Sequence, residues 1–136
     1  MFMKIAILAI LATAISAYPQ AQCALGRTYT VQPGDTCNGI SGQQSVPLFQ
    51  LTSANTGLNC NNLLVGQSIC LADVGQDCTD VHVVGMNENC ASIAMDAHIP
   101  LTTLFANNGN INDPSCNNIS VGDVLCVAST AIPYGA

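Results

Sequence analysis

"VQPGDTCNGI", Val31 to Ile40, and "VVGMNENCASI", Val83 to Ile93, are two versions of one phrase. Superposing Cys37 on Cys90 brings Val31 over Val84, Ile40 over Ile93, and Pro47-Leu48 over Pro100-Leu101. The later halves agree as well: "SANTG" (53–57) with "FANNG" (105–109), and "CNNLLVGQSIC" (60–70) with "CNNISVGDVLC" (116–126). So many matches in the same order describe an internal duplication. Cysteine spacing repeats it, with intervals of 14, 23 and 10 among Cys23, Cys37, Cys60 and Cys70, then 12, 26 and 10 among Cys78, Cys90, Cys116 and Cys126.

One template serves both copies. "RTYTVQ" and "DVHVV" are β-branched runs of strand length, and "GQSICLA" and "GDVLCVA" repeat that signal at the far end. Between them, Asp35-Thr36 or Asn89 offers a helix cap ahead of Ile40 or Ile93. A second helix is expected from about Val46 or Ile99 to Asn55 or Asn107, with Pro47 or Pro100 in its first turn. The expected fold class is α+β: two tandem βααβ units, each a two-stranded antiparallel sheet packed against two helices. Such small cores rarely hold without covalent help.

The eight cysteines supply that help as a disulfide framework, each bridge contributing about 2–4 kcal/mol. Closure within each unit leaves three pairings per unit. If Ile69 and Leu71 face the helices, Cys70 faces away and meets Cys23, which leaves Cys37 for Cys60. The wide cysteine spacing, with His82 and His98 as the histidines, argues against a zinc site, so no metal or cofactor is expected.

Residues 1–17, with Lys4 before an apolar run and small residues at Ser16-Ala17, read as a secretory signal peptide. The expected boundaries are then 18–28, an N-terminal segment with Cys23; 29–71, the first unit; and 72–80, a short linker with Cys78. The divergent second unit spans 81–127 and a tail 128–136. Beyond that leader, Arg27 is the one cation against Asp35, Asp73, Asp77, Asp80, Glu88, Asp96, Asp113 and Asp123. That balance disfavours nucleic acid and anionic membranes as partners and suits a neutral ligand rich in hydroxyls and amides.

"YTVQPGDTCNGI" followed by "NCNNLLVGQSICL" resembles the LysM domain, the lysin motif. The residues carrying the resemblance are Tyr29 in the first strand, Gly34-Asp35-Thr36, Ile40, Asn55, and Leu63 with Gly66-Gln67. It is strong over 29–71 and weaker over 81–127, and the cysteine-rich form is similar to fungal members of the family. For a chain of a leader and two such domains, the resemblance implies a secreted LysM effector that binds chitin oligomers and so shields fungal walls from chitinases or hides chitin fragments from host receptors. It implies no enzyme activity and leaves open a dimer bridged by ligand.

The family's sugar groove lies between the loops that follow the first strand and the second helix. Here that implies contacts from Gly34, Asp35, Thr36, Leu58, Asn59, Asn61, Asn62 and Leu63. Gly34 would let sugar approach the main chain, although Asp35 or Thr36 could equally do no more than cap the helix. The second copy places Asn87, Glu88 and Asn89 in the first wall, and lengthens the other through "NINDPS" (110–115). A weaker second site is therefore expected from Asn87, Glu88, Asn89, Asn112, Asp113 and Pro114. Asn118-Ile119-Ser120 is a glycosylation sequon near that second groove.

Catalysis needs a nucleophile with a base, or two carboxylates across a bond. No such motif is present, and His82 and His98 are expected in a strand and on a helix surface. The competing readings are a disulfide-rich structural or interaction protein without sugar binding, and a binder of peptidoglycan, which shares N-acetylglucosamine.

Overall fold

The structure is a computed structural model described over residues 23–111 and 114–134. The expected leader, residues 18–22, and Asn112, Asp113, Gly135 and Ala136 lie outside those residues. In chain order the elements are β1 (Thr28–Thr30), α1 (Cys37–Gln44), α2 (Leu48–Ser53), β2 (Ser68–Cys70), β3 (Val81–Val83), α3 (Cys90–Asp96), α4 (Leu101–Asn107) and β4 (Val124–Cys126). Strand β1 pairs antiparallel with β2, Tyr29 opposite Ile69, and β3 with β4, His82 opposite Leu125. The chain therefore folds as two βααβ repeats, as the duplication predicts.

Each repeat buries its own core. In the first, Val31, Ile40, Val46, Leu51 and Ile69 meet; in the second, Val84, Ile93, Ile99, Leu104 and Leu125 do the same. The strands are shorter than the β-branched runs suggest, but the pairing continues past β1 through Val31 N–H to Gln67 O at 2.9 Å and Gly66 N–H to Val31 O at 2.8 Å. Pro47 and Pro100 sit one position earlier than expected. Both are extended at the N-cap (ψ 135° and 147°), where each carbonyl accepts the first helical bond, from Leu51 and Leu104. His98 is not on a helix: it follows α3 with φ 57°, the left-handed counterpart of Ser45 after α1 (φ 53°).

All four disulfides close within their own repeats: Cys23–Cys70, Cys37–Cys60, Cys78–Cys126 and Cys90–Cys116. A side-chain amide reinforces each sheet. Asn55 Nδ2 donates to Cys70 O (2.6 Å) and Leu51 O (2.7 Å), and its Oδ1 accepts from Cys70 N (2.8 Å). The second-repeat counterpart is Asn108, with bonds of 2.8 Å to Cys126 O, Leu104 O and Cys126 N. Matching "SANTG" to "FANNG" set Asn107 opposite Asn55; the structure moves that equivalence by one residue. Asn107 instead holds the tail, donating to Ala128 O (3.3 Å) and Thr130 O (3.0 Å) and accepting from Ile132 N (2.7 Å).

That tail returns to the first repeat. Tyr134 meets Phe49 edge to face at 5.3 Å, and its hydroxyl donates to Gln50 Oε1 at 3.1 Å. Buried Gln50 also accepts from Cys78 N (2.7 Å) and donates to Leu71 O and Asp77 Oδ1 (both 3.0 Å). Asp77 in turn pairs with Arg27, Nε to Oδ2 at 2.9 Å. Segment 72–80 is thus packed into the junction rather than strung between beads.

Two outcomes follow from these contacts. Asn108→Ala removes three buried hydrogen bonds and should cost about 2–4 kcal/mol, more than Asn55→Ala at its half-buried site, in denaturant unfolding of the oxidised protein. Burial, then the charge of Asp77, pushes the Tyr134 hydroxyl up from 10.0 to about 12. The folded state favours the neutral phenol, so its contribution is complete below pH 10 and is lost as pH rises from 10 towards 12. Stability measured across that window should fall further in the parent than in Tyr134→Phe.

Candidate functional site

Two loops meet at one end of each repeat, and a disulfide joins them. In the first repeat Cys37 opens α1 directly after Gly34-Asp35-Thr36, and its bridge to Cys60 fixes that turn against the loop 57–66 between α2 and β2. Gly34 has φ 85° and nothing within 4 Å of where a Cβ would stand, so its main chain is open to an approaching ligand.

Asp35 and Thr36 divide the two roles that the sequence left open. Thr36 is the cap: its Oγ1 accepts from Gly39 N at 3.0 Å. Asp35 does not cap. Its Oδ2 accepts from Gln32 N and from the Tyr29 hydroxyl, each at 2.7 Å, which closes the turn upon itself. The hydrogen bond to Asp35 raises the Tyr29 pKa.

In the facing loop, Leu58 and Leu63 are half-buried and pack against the first core, so they support the wall. Asn59, Asn61 and Asn62 are exposed. Asn59 organises the loop, its carbonyl accepting from Asn62 N and its Oδ1 from Asn61 N, both at 3.0 Å. The carboxamides of Asn61 and Asn62 make no hydrogen bond among the described residues, which leaves their donors and acceptors for a ligand.

The second repeat keeps this geometry with different chemistry. Asn87 takes the position of Gly34 at φ 62°, a conformation asparagine tolerates, so the backbone turn survives and gains a side chain. Asn89 is the cap and forms a reciprocal box with Ser92. Glu88 Oε2 accepts from Gly85 N at 2.6 Å and meets His82 Nε2 at 2.7 Å. The Gly85 amide, then His82, lowers the Glu88 pKa.

Cys90–Cys116 joins the walls, and buried Ile111 anchors the start of the longer loop. Pro114 is exposed, while Asn112 and Asp113 lie outside the described residues. Exposed Asn118 donates to Asn110 O at 2.8 Å.

Tyr29 and His82 complete the two turns, yet were not among the expected site residues. The signal was available: Tyr29 to Asp35 and His82 to Glu88 have the same six-residue separation, and both members change between copies. A cavity of about 350 Å³ also opens between the repeats, lined by Asn38, Gly39, Ser41, Leu48 and Ser120 to Val124. None of the expected contact residues lines it.

Among the described residues no three His, Cys, Asp or Glu side chains gather to hold a metal ion, and no helix is long and apolar enough to cross a membrane. Four disulfides suit an oxidising, extracellular setting.

The LysM domain family matches residues 29–72 and 82–128. Over 106 residues the chain is 37% identical to a secreted LysM effector of Verticillium dahliae, covering 76% of this chain and 15% of that protein. A secreted LysM effector of Pochonia chlamydosporia is 31% identical over 105 residues, with coverages of 75% and 15%. A non-secreted LysM effector of Penicillium expansum is 29% identical over 125 residues, with coverages of 87% and 8%. The chain thus spans a small part of the length of these relatives. Among solved structures, the LysM domain of Pteris ryukyuensis chitinase A is 43% identical at a TM-score of 0.33, over 34% of this chain and 96% of that one.

Replacing Cys37 and Cys60 together by serine should free the two walls of the first groove while Cys23–Cys70 still closes the sheet. Amide exchange should rise at 34–36 and 58–63 and change little at 68–70; uniform acceleration would mean that this bridge holds the repeat rather than the groove.

Proposed function

Since the chain belongs to the LysM family, we propose that it is a secreted, non-catalytic protein that binds chitin, chiefly through the first groove. The observation carrying this reading is the Cys37–Cys60 bridge, which ties the turn with the open backbone of Gly34 to the loop that bears the exposed Asn61 and Asn62. An N-acetylglucosamine unit offers an amide N–H and C=O with neutral hydroxyls. Those groups pair with main-chain and carboxamide donors and acceptors and need no charge. The formal net charge of −6 at pH 7 favours a neutral polymer over peptidoglycan, whose peptide stems carry carboxylates. Extracellular binding of this kind fits the proposed task of shielding walls from chitinases or withholding fragments from host receptors; the relatives' names, secreted LysM effectors, support secretion and an effector role.

Hydrolysis of the same polymer would need two carboxylates flanking the bond. The carboxylate in the first groove, Asp35, is instead engaged with a phenol and a backbone amide. The protein is therefore read as holding its ligand without cutting it.

Calorimetric titration with N-acetylglucosamine oligomers of increasing length tests this reading. Gly34→Trp should keep the fold, at a cost of about 1–2 kcal/mol for a side chain in the left-handed region, and lose most binding. Asn87→Trp should have a smaller effect, and oligomer lengths should be unchanged after incubation. The reverse ranking would move the working site to the second repeat, and shorter products from pure protein would restore an enzyme reading.

A further inference from the structure

The two grooves are closed by equivalent pairs of different chemistry. In the first repeat a tyrosine hydroxyl meets Asp35; in the second an imidazole meets Glu88, at the same 2.7 Å. Both carboxylates also accept the backbone amide that closes the turn, Gln32 N in one case and Gly85 N in the other. The pair thus fixes the segment that presents Gly34 or Asn87. A phenol stays neutral across the range in which an imidazole changes charge, about pH 5 to 8.

Other titratable groups stand on the elements that surround the second turn. Among the described residues they are Asp80 ahead of β3, Asp96 and His98 at the end of α3, and Asp123 before β4, whose Oδ2 accepts from Ser120 N at 2.8 Å. Asp113, in the facing loop, lies outside those residues. The pair of His82 and Glu88 is about 30% exposed on either side, with side-chain exposures of 32% and 27%, so protons reach both groups.

We propose that the turn from Gly85 to Asn89 is a pH-responsive wall of the second groove, firmest in mildly acidic solution, and that binding of N-acetylglucosamine oligomers there varies with pH while binding in the first groove does not. This rests on the chitin reading above. A protonated imidazole at this distance faces the carboxylate as an ion pair. Glu88 has a lowered pKa, so its contribution is present above the ordinary glutamate range and is lost only when pH falls through that lowered value.

The test follows the oxidised protein by NMR from about pH 4 to 8, without ligand. The Gly85 amide should shift together with the His82 ring, while the Gln32 amide stays still across the imidazole transition. His82→Tyr, which installs the first repeat's own solution, should flatten the Gly85 profile and keep the turn. In the Gly34→Trp background, an N-acetylglucosamine hexamer should bind about two- to fivefold more tightly near pH 5.5 than at pH 8, the range of an exposed ion pair, and His82→Tyr should abolish that difference.

A Gly85 amide that ignores the ring titration, or a pH profile that survives His82→Tyr, overturns the proposal. A turn that titrates while Gly34→Trp binds no hexamer at any pH overturns the control of sugar binding and leaves the first-groove reading intact. Failure of the parent protein to bind the hexamer refutes the chitin reading itself.

Discussion

A side-chain amide does the work of a missing strand. Two antiparallel strands are marginal alone, and each leaves an outward edge of unpaired backbone groups. Asn55 covers that edge on β2 by bonding both the N–H and the C=O of Cys70 while holding Leu51 O in α2. Asn108 repeats the arrangement on β4 at full burial. Sheet, second helix and the outer disulfide therefore converge on one residue in each repeat, Cys70 or Cys126.

The two ends of each repeat have separate fastenings. Cys23–Cys70 and Cys78–Cys126 tie the entering chain to the last strand, while Cys37–Cys60 and Cys90–Cys116 tie the walls of the grooves. A groove held by a covalent bond loses little freedom when a ligand settles, which is the advantage of preorganisation. The second repeat preserves this frame and changes what it displays: asparagine for glycine at the turn, and imidazole with glutamate for phenol with aspartate.

Much of this was legible because it is periodic or spaced. The cysteine intervals announced two closed units, and the alternation of Ile69, Cys70 and Leu71 told the bridging face from the core face. Asn89, and the pair Asp35-Thr36, were readable as cap positions from their place before a helix. What escaped depends on contacts across the chain. Asn107 and Asn108 are adjacent and chemically identical, so string matching chose the wrong one; only their partners, tail against strand, separate them. The division between Asp35 and Thr36 was open for the same reason, because Tyr29 decides it from the neighbouring strand. The tail contacts of Gln50 with Tyr134 span 84 residues and leave no local pattern.

The nesting of these fastenings also orders the birth of the molecule. All four cysteines of the first repeat precede Cys78, so as the chain emerges from its N-terminus both of their bridges can close before a competing thiol arrives. The second set then closes on itself, with no bridge left waiting across the boundary. Phe49 and Gln50 must wait, because Tyr134 reaches them only after the second repeat is out. The junction between the repeats is thus the last part to set, on two halves already locked in shape.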